Sequence, residues 1–539
     1  MAGARPARRW NGWGDPAVES HVTRSGSELL PSLVGPGTAP RDATLAEVVA
    51  AVPTSRLDGS AGLSVDPEDR VRHARGQSLP DWIALRSGRL GAVPDAVAAP
   101  TRTGDVRDLL DRARREGWEL VPFGGGTSVV GGVTVQPSDR PIVAVDLAGI
   151  AGLSAIDTTS GLATVGAGTT GPALEAALAE HGLTLGHYPQ SFEFSTVGGW
   201  VAARSAGQES IGYGRIERLF AGGHVETPAG PLDLRPFPAS ATGPDLRELV
   251  LGSEGRLGIV TDVVVRAVAR PQRDQVRAYS VPDWDRALVL GRSLAQAGMD
   301  LSMVRVSTPI ETATTLAMGA DERSRRWLRR YLVWRRQGPE PCLILVGIHG
   351  PDRVVTATEG EVATLVRRAR GVGLPGVAAA WRRDRFAAPY LRNALWSAGY
   401  AVDTVETAVD WASLPGLAAA LGPALRHGLD ADGERVHAFS HLSHVYPSGS
   451  SLYATYVFRH GADPEETLDR WRRLKRAASE TIVAHGGTIS HQHGVGVDHA
   501  PYLEAEKGAL GVATIRAAMT HLDPDGTMHR GVLFGDGPG

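Results

Sequence analysis

The chain has 539 residues, and 56 Lys+Arg against 59 Asp+Glu leave a formal charge of −3, which excludes the basic footprint of a nucleic-acid binder. With 42% hydrophobic and 21% charged residues the composition is globular, and the length calls for more than one domain and a large buried core. Glycine is the outlier: 66 residues, about 12% against the usual ~7%, without a collagen period, so the excess belongs in turns and in loops where backbone approaches a ligand.

In chain order, Met1–Trp13 carries arginines with no apolar run behind them, unlike a secretory signal. No stretch approaches the ~20 apolar residues of a membrane span, so a cytoplasmic protein without a transmembrane segment is expected. Residues 1–95, rich in Pro, Gly and Ser with helical pieces at Leu45–Val52 and Pro80–Arg86, read as an extension packed against the body. Short β/α units begin at Ala96. Val97–Pro100 is a strand, and Thr103–Glu116 a helix with Thr103 as its cap and Leu109, Leu110 and Ala113 inward. Glu119–Phe123 is a second strand. Leu162–Val165 leads through Gly166–Thr170 into the helix Pro172–Ala179, with Pro172 in its first turn and Gly182 as the left-handed residue beyond its end.

Past Pro271 the glycine loops fade, and residues 271–435 read as a separate, substrate-facing domain. The arginine-rich helix between Ser324 and Arg336 reads as a solvated face. Cys342, the single cysteine, sits in Pro341-Cys342-Leu343-Ile344-Leu345-Val346, a buried strand, and excludes an internal disulfide or a multi-thiolate metal site. Residues 436–539 bring the histidines. Only Lys475 and Lys507 are lysines, leaving 54 of the 56 basic residues as arginine, a bias that a GC-rich genome explains without any function.

Three glycine segments carry chemistry. Pro122, Phe123, Gly124, Gly125, Gly126, Thr127 and Ser128 follow a strand, and the absent Cβ atoms let successive amides converge on a phosphate or pyrophosphate. No lysine follows, so it is not a P-loop, and the spacing is not that of a Rossmann fingerprint. The second is Gln190, Ser191, Phe192, Glu193, Phe194, Ser195 and Thr196 before Gly198-Gly199, with the small-residue wall Ala203, Arg204, Ser205 and Ala206 behind it. The third is Glu254, Gly255, Arg256, Leu257, Gly258, Ile259 and Val260, a turn entering the strand Ile259–Val265. Each alone also reads as a turn, and together, over one continuous α/β region, they are harder to dismiss. In the tail, strand alternation sets Tyr453 and Tyr456 on opposite faces, one toward a site and one toward the core. It likewise pairs His491 with His493 and opposes His441 to His444. Proton transfer, hydrogen-bonded structural histidines and a metal site all remain open for these groups.

The segments PFGGGTS (122–128), EFSTVGGW (193–200), RSAGQ (204–208), TGPD (242–245), GSEGRLGIVT (252–261), RWNGWG (9–14) and SHQHGVG (490–496) together resemble vanillyl-alcohol-oxidase-type flavoproteins. Within that superfamily they resemble the alkyldihydroxyacetonephosphate (alkylglycerone-phosphate) synthase family. The resemblance implies an α+β fold: a two-subdomain PCMH-type FAD-binding domain at 96–270, a cap domain at 271–435 with an antiparallel sheet and helices, and a C-terminal segment at 436–539 completing the active site. It implies FAD held by the three glycine segments, and non-covalently, because Phe123–Ser128 contains no His or Cys. By matching motifs, Tyr453 is the acid/base, His491 and His493 polarise the substrate, Arg392 in Pro389-Tyr390-Leu391-Arg392 holds the phosphate, and Arg305 belongs to the same substrate site. No metal is implied. In the family reaction the acyl group of acyl-dihydroxyacetone phosphate is exchanged for a fatty alcohol through a flavin N5 adduct, in ether lipid synthesis. A homodimer with peripheral membrane contact and a small-molecule or lipid-phosphate substrate is expected. Gln492 and Val497 depart from the family's middle histidine and following lysine, and Gln cannot titrate. The alternatives are an oxidase or dehydrogenase of 2-hydroxy acids and a non-catalytic FAD sensor.

Overall fold

The computed structural model describes residues 7–60, 62–319 and 322–535, so the first six residues of the Met1–Trp13 stretch and the last four of the chain lie outside the described residues. In the first sheet Ala96–Ala98, Ile142–Asp146 and Glu119–Phe123 run parallel, and Leu63–Ser64 of the N-terminal extension pairs antiparallel at the edge. Its strands are near-continuous apolar runs because both faces are covered, with Leu120, Val143 and Val145 fully buried. The helix Thr103–Glu116 packs Val106, Leu110 and Ala113 against them, while Leu109 is only half-buried. Its cap differs from the expectation. Arg102 is the N-cap residue, and the Asp105 carboxylate accepts the Thr101 and Arg102 amides, a charged acceptor that suits the positive end of a helix. Thr103 lies inside the first turn and donates its hydroxyl to Asp262.

The second sheet is antiparallel, in the order Leu153–Asp157, Leu162–Gly166, Ile259–Arg266, Phe220–Thr227, Gly230–Leu234. The helix Gly171–Ala179 has Pro172 in its first turn, and Gly182 follows in the left-handed region at φ 71°. The third sheet has seven antiparallel strands in the order Val372–Gly373, Arg273–Val281, Cys342–Gly350, Leu301–Ser307, His437–Leu442, Gly449–Arg459, Tyr400–Asp410. Strands from both sides of position 435 therefore share this sheet.

Strand alternation gives that third sheet two different faces. One buries Val304, Val306, Leu442, Leu452, Ala454, Tyr456 and Val405 under the helices Trp284–Gln296, Asp352–Arg368, Leu414–Arg426 and Pro464–Ala484. The other presents Arg305, His441, Tyr453 and Glu406. The arginine-rich helix, Glu322–Trp334, is not wholly a solvated face, since Leu328 and Leu332 pack into a small second core. Trp327, Val333 and Trp334 stay exposed. The N-terminal stretch is a strap. The Trp13 amide donates to Asn393 Oδ1 at 3.1 Å and Asn393 returns a bond to Trp13 O at 2.9 Å, while Arg86 holds Asn11 O at 2.7 Å. No helix among the described residues is long and apolar enough to cross a membrane.

Candidate active site

The polar face of the third sheet is assembled by register. Tyr453 pairs with Glu406 on one neighbouring strand and with His441 on the other, so alternation stands all three on one side. The His441 ring stacks on Tyr453 with centroids 5.1 Å apart, and the His493 ring meets Tyr453 edge-on at 5.6 Å. Below them Arg305 Nη2 donates to Glu311 Oε1 at 2.6 Å and lies 3.2 Å from His441 Nδ1. Against the push of burial, the neighbouring His441 and Arg305 hold the Glu311 carboxyl down at about 2. Burial pushes the Tyr453 phenol up to about 12, so it keeps its proton at neutral pH. Tyr456, one turn of the pleat away, is fully buried in the core and donates to Asp403 at 3.2 Å. The opposed pair of tyrosines is thus placed as alternation requires.

His491 and His493 do share an orientation, but not as strand neighbours, because residues 488–494 form a turn. The organiser is Glu406. Its Oε2 accepts the His491 amide at 2.8 Å, and its Oε1 accepts the amides of Gln492 and His493 and the Ser490 hydroxyl at 2.9–3.0 Å. Three consecutive amides converging on one buried carboxylate fix the turn. Both imidazoles then face it, His491 Nδ1 at 3.7 Å and His493 Nδ1 at 3.6 Å. The far end of the turn is held by Glu254, which accepts the Val495 amide at 2.5 Å and the Gly496 amide at 2.7 Å. Burial raises the Glu254 carboxyl to about 7. The histidine turn is therefore clamped between a carboxylate of the third sheet and a glycine-loop carboxylate.

The two histidines have different environments. Arg215 Nη1 donates to His491 Nε2 at 2.8 Å, Tyr446 Oη donates to the same atom at 2.6 Å, and Arg215 Nη2 donates to His491 O at 2.8 Å. Since a guanidinium only donates, Nε2 is an acceptor and the His491 proton resides on Nδ1. Burial, then His444 and Arg215, hold His491 well below its usual range, so it stays neutral. His493 is also lowered by burial, yet it keeps accessible surface and its Nε2 faces no protein partner among the described residues.

The glycine segments converge. A Cβ on Gly124 would stand 2.6 Å from Thr196 Oγ1, and one on Gly125 2.1 Å from Phe194 O. The first segment thus lies directly on the second. Thr196 caps the helix Val197–Ala203 through the Gly199 amide at 3.3 Å, and Ser195 accepts from Trp200 Nε1 at 2.8 Å. Phe192 stacks on Phe386 at 5.3 Å, Phe194 meets Trp13 edge-on at 5.7 Å, and Gln190 donates to Arg385 O at 2.7 Å. Arg204 and Glu254 both adopt positive φ, at 52° and 50°. Among the described residues, the amides of Gly125, Gly126, Thr127 and Ser128 donate to no protein acceptor. A row of free amides on a loop whose Gly124, Gly125 and Gly126 leave no room for a Cβ suits the pyrophosphate of FAD, and the residues present fit that cofactor.

Arg392 lies apart from Tyr453, on the helix Ala388–Ser397. Its guanidinium sits 4.2 Å over the Trp82 ring and donates through Nη1 to Gln77 O at 2.5 Å, while Nε and Nη2 are buried without a partner. Among the described residues no group of three or more His, Cys, Asp or Glu is placed to hold a metal ion. Sequence reasoning missed Glu406, Arg215, Glu311 and Tyr446. Glu406 is one acidic residue in an alternating strand, and only the convergence of distant segments reveals it.

The model for FAD binding domains matches residues 94–232, and that for the C-terminal domain of FAD linked oxidases matches residues 270–533. The alkyldihydroxyacetonephosphate synthase of Dictyostelium discoideum is 31% identical over 475 residues, 86% of this chain and 77% of that protein. A glycolate oxidase subunit of Bacillus subtilis is 24% identical, over 82% of this chain and 89% of that protein. A solved structure of an alkyldihydroxyacetonephosphate synthase superposes with a TM-score of 0.82 at 25% identity, over 96% of this chain and 98% of that one.

Proposed function

Because the chain belongs to the alkyldihydroxyacetonephosphate synthase family and is an FAD-dependent enzyme, we propose that it exchanges the acyl group of an acyl-dihydroxyacetone phosphate for a fatty alcohol, as a step of ether lipid synthesis. The observation that carries this reading is Tyr453 held between two imidazoles on the polar face of the cap sheet. Pro122–Ser128, Gln190–Thr196, Ala203–Ala206 and Glu254–Val260 hold the cofactor, non-covalently. FAD, when bound, supplies an electron-accepting ring that lets the substitution proceed without net redox change.

Tyr453 is the acid–base group at Oη. Its phenol, raised to about 12, gives up a proton only to a base beside it. Neutral His493 is that base, since its Nδ1 side is turned to Glu406 and Nε2 is left as an acceptor. His491, tied down through Nε2, positions the turn and polarises the site through Arg215. His441, stacked on Tyr453 and held by Arg305 and Glu311, keeps the phenol's plane fixed. The unpartnered Nε and Nη2 of Arg392 hold the substrate's phosphate. Gln492 titrates nothing, but its backbone amide still serves the Glu406 clamp, so the departure from three histidines leaves the His493–Tyr453 pair in place. Exposed Trp327, Val333 and Trp334 on the arginine-bearing helix support peripheral contact with lipid surfaces, by a cytoplasmic homodimer.

The test is incorporation of labelled hexadecanol into an alkali-stable ether product. Wild-type protein makes it from palmitoyl-dihydroxyacetone phosphate, and Tyr453→Phe lowers the rate at least a hundredfold while keeping its flavin. Unchanged turnover in Tyr453→Phe would remove the acid–base assignment.

A further inference from the structure

Arg8 stands at the head of the N-terminal strap, and its side chain reaches a glycine loop 117 residues further along the chain. Its Nη1 donates to Gly125 O at 2.6 Å and its Nη2 to Arg72 O at 2.8 Å, while Arg72 Nη1 returns a bond to Arg8 O at 3.2 Å. The guanidinium carbon lies 5.1 Å from the centroid of the Phe123 ring, a cation–π contact. Phe123 is itself held by His73, whose ring meets it edge-on at 4.8 Å and whose Nε2 lies 3.2 Å from Asp146 Oδ2. Gly126 takes φ 64°, and a Cβ there would run into both the Arg8 guanidinium and the Phe123 ring. The space that glycine leaves at 126 is therefore filled from the strap.

This contact decides the direction of one amide. A peptide unit is planar and trans, so its carbonyl and its N–H point opposite ways. Gly125 O and Gly126 N belong to the same unit. With the carbonyl drawn to Arg8, the Gly126 N–H is turned away from the guanidinium, and it is one of the amides that donate to no protein acceptor among the described residues. A peptide between two glycines turns over at little cost, because neither residue has a Cβ to restrict it. A flipped unit would present its oxygen to an anion. The charge-assisted bond from Arg8 opposes that flip. No lysine follows the glycines as it does in a P-loop, so the fixed positive charge at this loop comes from the strap.

We infer that Arg8 is a positioning residue of the cofactor site, which fixes the Gly125–Gly126 peptide so that its amide faces the pyrophosphate of FAD. The inference rests on the reading of Pro122–Ser128 as the pyrophosphate loop. Five residues further on, Trp13 exchanges hydrogen bonds with Asn393, so one short segment ties the cofactor loop to the helix Ala388–Ser397.

The test follows the release of flavin from the FAD-loaded full chain on dilution, read as the recovery of free-flavin fluorescence. Arg8→Ala releases FAD at least tenfold faster than wild type. Millimolar guanidinium chloride slows that release and sodium chloride does not, a rescue that separates a lost hydrogen bond from a damaged fold. Arg8→Lys keeps the charge and one donor and falls between the two. In 31P spectra of the loaded proteins, the two pyrophosphate lines move between wild type and Arg8→Lys while the flavin absorbance keeps its shape. Release at the wild-type rate from Arg8→Ala, beside a Gly125→Ala variant that loses its flavin, overturns the inference alone. Wild-type retention by both variants overturns the reading of the loop. Fast release that guanidinium leaves unchanged, with 31P lines unmoved in Arg8→Lys, makes Arg8 a prop of the fold and overturns the inference as well.

Discussion

Glu406→Gln tests the clamp on the histidine turn with almost no change in volume. Glu406 Oε1 serves Ser490, Gln492 and His493, and Oε2 serves the His491 amide. A glutamine offers one oxygen, and its NH2 then faces a backbone donor. The three bonds that survive lose charge assistance, about 1 kcal/mol each, and one amide is left buried without an acceptor, which costs about 1–3 kcal/mol. Because these bonds share one group they do not simply add, and about 3–4 kcal/mol is expected for opening the turn. At about 1.4 kcal/mol per tenfold, amide exchange in a peptide spanning 488–496 accelerates by roughly two to three orders of magnitude, which deuterium uptake by mass spectrometry reads. Turnover falls about a hundredfold, since His493 loses its orientation against Tyr453. Exchange and turnover both within twofold of wild type would refute the claim that Glu406 organises the site.

Gly125→Ala places a Cβ 2.1 Å from Phe194 O, so the loop must withdraw from the second glycine segment, and the flavin-to-protein absorbance ratio of the purified variant drops well below that of wild type. Glu254 has a folded value of about 7 against 4.5 for the free group, so the fold favours its protonated form, and stability declines as pH rises from about 4.5 to about 7, by a ceiling of about 3 kcal/mol. Glu254→Gln removes that decline. Melting midpoints at pH 5 and pH 8 lie closer together in the variant than in wild type, and a wider gap would contradict the assignment. Tyr456→Phe loses the bond to Asp403 and lowers the melting temperature, at a cost of about 1–2 kcal/mol, while hexadecanol incorporation stays within threefold of wild type, unlike Tyr453→Phe.

What could be read along the chain is what local rules govern. The strand Glu119–Phe123 running into three glycines, the strand Ile259–Arg266 and the opposed Tyr453 and Tyr456 follow from alternation and from the spaces that only glycine fills. What could not be read depends on distant segments meeting. His491 and His493 suggested a strand pair, but their shared orientation comes from a turn wrapped on Glu406, 85 residues upstream of His491. The cap of Thr103–Glu116 falls at Arg102, one residue before the expected Thr103, because the Asp105 carboxylate accepts the Thr101 and Arg102 amides while the Thr103 hydroxyl is turned to Asp262.

The proposed exchange of groups on a lipid phosphate and the oxidation of a hydroxy acid leave different marks on the flavin. Anaerobic titration of the purified FAD form separates the two in a single absorbance record. Palmitoyl-dihydroxyacetone phosphate should perturb the 450 nm flavin band (roughly where oxidised flavins absorb) only when Tyr453 is present, and fatty alcohol should restore it without oxygen. Bleaching by lactate or glycolate, with recovery only on admitting an electron acceptor, would instead make the protein a hydroxy-acid oxidoreductase.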